Sequence, residues 1–255
     1  MDLFAAGPIA GILDVVYQFV AALSQALAPI AGSASAALAV IVLTLIVRAL
    51  LIPVGMAQVR AEFTRRRLAP KLAELQRTHA GDREKLQRKT VELYAQEKAS
   101  PFAGCLPLVL QAPVLSLVYA LFLHQNINGH ANTLLSQQLF GVPLGSSFVH
   151  VLGSGGLSLP VIAVFVGFLA AITTVTAVSR KLLALPPAHG TVSAGATQPT
   201  SQLTRVLSFL PFITVVFAAF VPLAAVLYLL TTTSWTVAER VSLRRLLSEA
   251  SVVAA

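Results

Sequence analysis

A single cysteine, Cys105, in 255 residues leaves no partner for an internal disulfide. Charge is scarce, with 11% of residues charged and only ten acids against eighteen Lys and Arg. No Lys or Arg precedes Arg48, none lies between Ala99 and Ser179, and none between Val206 and Glu239. Gly153 to Gly156 is glycine-rich but has no Lys after it, so it is not a phosphate-binding loop. His124, His130 and His150 are scattered without Cys or carboxylate companions, and no nucleophile and base pair stands out. No catalytic residue, metal or cofactor is therefore expected, nor is an enzyme.

What remains is apolar. Hydrophobic residues make up 56% of the chain, a balance that soluble domains do not show and several membrane spans produce. The predicted architecture is an all-α integral membrane protein with five transmembrane helices, an N-terminal interfacial helix and a cytoplasmic antiparallel helical hairpin. The positive-inside rule assigns the three basic blocks to the cytoplasm. The N-terminus is then outside and the C-terminus inside. The start Met-Asp-Leu-Phe lacks the basic stretch of a secretory signal and is expected to stay on the mature protein.

Along residues 1–33, Gly7, Gly11, Asp14, Gln18 and Gln25 share one side of a helical wheel, and Ile12, Val16, Phe19, Leu23 and Ile30 share the other. That pattern predicts a helix lying in the external interface with Asp14 in water; a first span is the alternative. The first confident span covers 34–59 and holds Arg48 near its middle. A guanidinium keeps its proton there at a cost of roughly 2.5–3.5 kcal/mol, so it is expected to face a partner or a wet cavity; snorkelling from near the cytoplasmic end is the alternative.

Residues 60–102 form the predicted hairpin. Eleven basic residues stand against six acids between Arg60 and Lys98, and Arg65, Arg66, Arg67, Lys71 and Arg88 are its candidate contacts to anionic lipid heads or ribosomal RNA. Leu68, Leu72 and Leu75 make a narrow stripe, Leu86 and Leu93 fall a heptad apart, and Asp82 is placed to cap the second helix. The remaining expectations are a second span at 103–124, an uncharged external loop at 125–157, a third span at 158–179, a cytoplasmic loop at 180–204, spans at 205–220 and 222–239, and a tail at 240–255. The split near Pro222 follows because one 33-residue helix would measure about 50 Å, against a hydrocarbon core of roughly 30 Å.

Thr44 lies one turn before Arg48, and Tyr228, Thr232 and Trp235 share a face of the last span. Gln111 and the Thr173 to Thr176 cluster add polar groups at membrane depth. Converging, these faces would line a wet cavity around Arg48; for any one Thr, a hydroxyl bonded back to its own helix is the simpler expectation. No Asp, Glu or Lys is counted inside the spans, so no internal counter-ion for Arg48 is expected. A small-anion transporter or channel is the alternative use of such a site, although no repeated halves of the transporter kind are visible.

Together these residues resemble the YidC-type membrane protein insertases of bacteria, relatives of the mitochondrial and chloroplast insertases. The resemblance is carried by Thr44-Leu-Ile-Val-Arg48 with Pro53, by Leu68-Ala-Pro70, Gly81-Asp82 and Glu92-Leu-Tyr94, by Pro101-Phe-Ala-Gly-Cys-Leu-Pro-Leu-Val-Leu-Gln-Ala-Pro113, and by Leu210-Pro211 and Val226-Leu-Tyr228. Leu139-Phe-Gly-Val-Pro-Leu-Gly145 is similar to a segment of actinobacterial members. The chain departs from the family pattern at Ser100-Pro-Phe-Ala-Gly-Cys105, at Leu229, where an aromatic is common, and at Val221-Pro-Leu-Ala224. The resemblance implies a hydrophilic groove open to cytoplasm and lipid. In it Arg48 receives the polar part of a nascent membrane protein, while Thr44 and Tyr228 line the exit to lipid. Implied partners are nascent membrane proteins, membrane lipids, a weakly held ribosome and the Sec translocon, in the bacterial cytoplasmic membrane. Without a long basic tail, strong independent ribosome anchoring is not expected.

Overall fold

A computed structural model describes residues 7–97, 106–156, 158–183 and 213–253. Among them the chain forms nine α-helices and two short β-hairpins. Helix α1 (Gly7–Ala31) and helix α2 (Ser35–Leu50) are joined by a single 3-10 turn. Ser24 and Ser35 hydroxyls hydrogen-bond at 3.1 Å. In a straight helix those residues would be about 16 Å apart, so the chain doubles back between them. Gly32, at φ +53°, allows the reversal, since a Cβ would be strained there.

The helix expected over 34–59 is two helices. Helix α2 stops at Leu50, Leu51 leaves the helical region (φ −89°, ψ 1°), and helix α3 (Ile52–Thr78) starts afresh with Pro53 in its first turn. Proline has no N–H to give and its ring favours the first positions of a helix, which is why the break falls here. Arg48 consequently sits in the last turn of α2, beside the joint, and not at the centre of a long rod.

Helix α3 continues to a short turn and helix α4 (Arg83–Gln96) returns along it. Asp82 caps α4 by accepting the Lys85 N–H at 2.9 Å. Glu97, just past α4, accepts from Arg67 at 3.0 Å and Lys71 at 2.6 Å, which fixes the antiparallel pairing of the arms. Leu68 is fully buried, whereas α4 has no buried residue.

Helix α5 (Leu106–Leu123) leads into the uncharged connection. Here β1 (Asn126–Ile127) pairs with β2 (His130–Ala131), and β3 (Gln138–Leu139) with β4 (Val142–Pro143), before the short helix α6 (Phe148–Gly153). Both hairpins turn on two residues with positive φ, Asn128-Gly129 and Phe140-Gly141, as two-residue turns between twisted strands require. Asn132 is buried and donates to the His124 carbonyl at 3.0 Å, closing the end of α5. The connection also holds α1. Asp14 accepts from His130 at 2.8 Å and Asn128 at 3.2 Å, and Tyr17 bonds Thr133 at 3.1 Å. Asp14, expected in water, is thus a tether whose side chain is only 15% exposed.

Helix α7 (Leu159–Leu183) is followed, after residues not described, by α8 (Ile213–Ala218) and α9 (Leu223–Val253). Ala10–Leu50, bent at Gly32, and Leu159–Leu182 are long and apolar enough to cross a membrane. Half of the span expected at 205–220 and most of the loop expected at 180–204 lie outside the described residues, as do Cys105 and Leu210-Pro211. Helix α9 packs on α2, α3, α5, α7 and α8, and its first turns are buried on every side, from Leu223 through Tyr228. It runs unbroken to Val253, so the residues expected as a separate tail prolong the helix. Its first free N–H groups find distant carbonyls: Leu223 donates to Ser146 at 2.9 Å and Ala224 to Leu144 at 3.1 Å. These bonds satisfy donors that a helix start otherwise leaves unpaired.

Candidate functional site

Arg48 ends α2, where the carbonyl end of the helix dipole favours a cation by roughly 0.3–1 kcal/mol. It is half-buried, and its Nε is buried with no hydrogen-bond partner among the described residues. Thr44 is buried one turn earlier, but its hydroxyl donates to the Val40 carbonyl at 2.7 Å. Thr173 and Thr174 bond back in the same way to Leu169 and Ala170. None of these three hydroxyls is held out toward the arginine.

Opposite Arg48, α9 presents Tyr228 and Thr232, both buried side by side, with Tyr228 within electrostatic reach of the guanidinium. Trp235, one turn further, donates its indole N–H to Glu239 at 2.9 Å. Glu239 is the residue the sequence reading missed. It stands at the edge of the span expected at 222–239 and interacts electrostatically with both Arg48 and Arg240. Its carboxylate lies against the backbone of α3 at Gly55, where a Cβ would collide with it. The one local signal for it is that Trp235 and Glu239 are one helical turn apart. Gln111 falls within α5, and its side chain lies outside the described residues.

A second charged group sits at the base of the hairpin. Glu62 accepts from Arg66 at 2.8 Å and from Arg244 of α9 at 2.5 Å, while Arg244 also donates to the Leu182 carbonyl of α7 at 3.1 Å. Glu62 thereby ties α3 to α9, and Arg244 carries the link on to α7. Arg66, Arg67 and Lys71 are engaged with acids of the chain itself, Arg65 is half-buried, and Arg88 is exposed on α4. The Glu97 carboxyl is held below its ordinary value, first by the hydrogen bond from Lys71 and then by the charges of Lys71 and Arg67.

Two apolar helical stretches long enough to cross a membrane, one of them holding the half-buried guanidinium of Arg48, fit a helical integral membrane protein. The profile of the 60Kd inner membrane protein family matches residues 27–250, and the chain belongs to that family. Among similar proteins is one named membrane protein insertase YidC from Shewanella sp. (strain W3-18-1), 40% identical over 97 residues that make 38% of this chain and 18% of that protein. A protein of the same name from Clostridium perfringens (strain 13 / Type A) is 30% identical over 115 residues, 45% of this chain and 48% of its own length. Another, from Haemophilus ducreyi (strain 35000HP / ATCC 700724), is 41% identical over 86 residues, 34% of this chain and 16% of that protein. The chain thus matches less than half of the length of each of these relatives.

Proposed function

We propose that the protein is a membrane protein insertase of the bacterial inner membrane, moving nascent membrane proteins into lipid without covalent chemistry or nucleotide hydrolysis. The observation that carries this reading is Arg48: a permanent charge at the joint of α2 and α3, with its Nε buried and unpaired among the described residues, in a chain whose family relatives are named insertases. In this reading Arg48, Tyr228, Thr232 and Trp235 line a hydrophilic groove, with Thr44 behind them. An acidic segment of a client exchanges part of its water for the guanidinium. At 4 Å and an effective dielectric near 20, opposite charges attract by about 4 kcal/mol before desolvation is subtracted. The client's apolar helix then partitions into lipid, which supplies the driving force.

Five spans with the N-terminus outside place the hairpin and the Glu62 clasp in the cytoplasm, where a ribosome would approach. Helix α1 then lies in the external interface, a placement supported by its bonds to the 124–135 connection. The Sec translocon is a further partner in this scheme.

Insertion of a short client with an acidic external tail into proteoliposomes tests the reading, with the native protein, Arg48→Ala and Arg48→Lys compared. The expected outcome is loss with Ala, retention with Lys, and no dependence on Arg48 once the client's tail is neutral. Equal insertion by all three proteins overturns the role of Arg48. Anion flux through protein-containing vesicles without client would favour a small-anion channel instead.

A further inference from the structure

Arg48 was expected to have no internal counter-ion, yet α9 seats an acid against Gly55 of α3, two turns beyond it. The Glu239 carboxylate is fixed on two sides, by the Trp235 indole N–H at 2.9 Å and by the bare backbone of Gly55, and it interacts electrostatically with Arg48. Among the described residues no ion pair joins Arg48 to Glu239 directly. An acid within electrostatic range of the guanidinium that is anchored to a different donor, with no ion pair between the two, leaves the cation attracted but unoccupied. The other charged and titratable groups that meet Arg48 or Glu239 electrostatically are Tyr228 and Arg240.

We propose that Glu239 is an internal counter-ion that competes with acidic peptide segments for Arg48, and that Trp235 is a positioning residue holding this carboxylate back from the guanidinium. The inference rests on the reading of Arg48 as a site for acidic segments of a client. Glu239 sets how acidic such a segment must be before it is held, because it must outbid a carboxylate already in the neighbourhood. Without the indole N–H, the Glu239 side chain is released to close on Arg48 and mask it.

The test uses a fluorescent apolar peptide with a three-glutamate tail and its three-glutamine counterpart, titrated by anisotropy against the full chain in phosphatidylcholine nanodiscs at low salt. Glu239→Gln is expected to tighten the acidic peptide about fivefold and leave the neutral peptide unchanged. Trp235→Phe is expected to weaken the acidic peptide by about the same factor. The double variant is expected to return to the affinity of Glu239→Gln, a rescue that a merely structural tryptophan would not show. The proposal is overturned if Glu239→Gln changes acidic-peptide binding by less than about twofold, if both peptides shift alike, if the double variant stays as weak as Trp235→Phe, or if no variant discriminates the two peptides. Client insertion by the native protein is read separately. Its failure beside an intact charge-dependent binding pattern overturns the insertase reading and leaves the counter-ion standing.

Discussion

Removing the Glu62 carboxylate is expected to loosen the attachment of α3 to α9. The Glu62 and Arg244 side chains are 13% and 17% exposed and meet at 2.5 Å. Breaking a fully buried pair by deleting one partner costs roughly 3–5 kcal/mol. Residual exposure and the remaining Arg244 bond to the Leu182 carbonyl reduce this, so Glu62→Ala should destabilise the protein by about 2 kcal/mol, a factor of about 30 in its folding equilibrium. The bond from Arg66, whose side chain is 37% exposed, adds little. Trp235 is the only tryptophan of the chain and reports on α9, so unfolding by SDS titration in detergent micelles can be followed by its fluorescence. The paired variant Glu62→Leu/Arg244→Met removes both charges and should regain most of the loss, because the penalty comes from a mostly buried guanidinium that has lost its carboxylate. A Glu62→Ala protein within about 0.5 kcal/mol of the native one, or a paired variant no better than the single, would refute the clasp.

Asp82→Ala should cost about 1 kcal/mol of local stability and speed amide exchange in the first turn of α4, while leaving α9 unaffected. The attachment of α4 to α3 should also depend on pH. Because the native Glu97 carboxyl titrates below its ordinary value, its contribution is complete above the unfolded value, which lies near 4.3, and is lost as pH falls through the lower native one. Exchange protection at the end of α4 should therefore hold at pH 7 and fade below about pH 4, with Glu97→Gln lacking the transition.

Local chemistry was readable in the letters, and long-range geometry was not. Asp82 could be assigned as a cap because that role needs only the residues just after it. Arg48 stood out because a lone charge in an apolar run is costly. Pro53 was visible, but an apolar run continuing past it hid the fresh helix start that proline favours, and so Arg48 was placed mid-helix. Asn128-Gly129, a strong hairpin signal, was passed over within a stretch read only as uncharged loop. Glu239 and Glu62 were counted as edge and surface charges. Nothing in their own neighbourhoods says that Glu239 would be seated against Gly55 of α3 or that Glu62 would meet Arg244 of α9; only packing of α9 across α2, α3 and α7 brings these groups together.

The start of α9 is packed in the core, and its first two N–H groups are taken by main-chain carbonyls, Leu223 donating to Ser146 and Ala224 to Leu144. Exchanging side chains at these four positions leaves donors and acceptors in place. What the junction depends on is the path of the connecting segment, so gaining or losing one residue between β4 and α6 should do more harm there than any conservative swap of letters. The connection is also synthesised well before α9. The carbonyls that receive the first turn of the central helix therefore precede it in the order of synthesis, and this end of the protein can close only once that helix has been made.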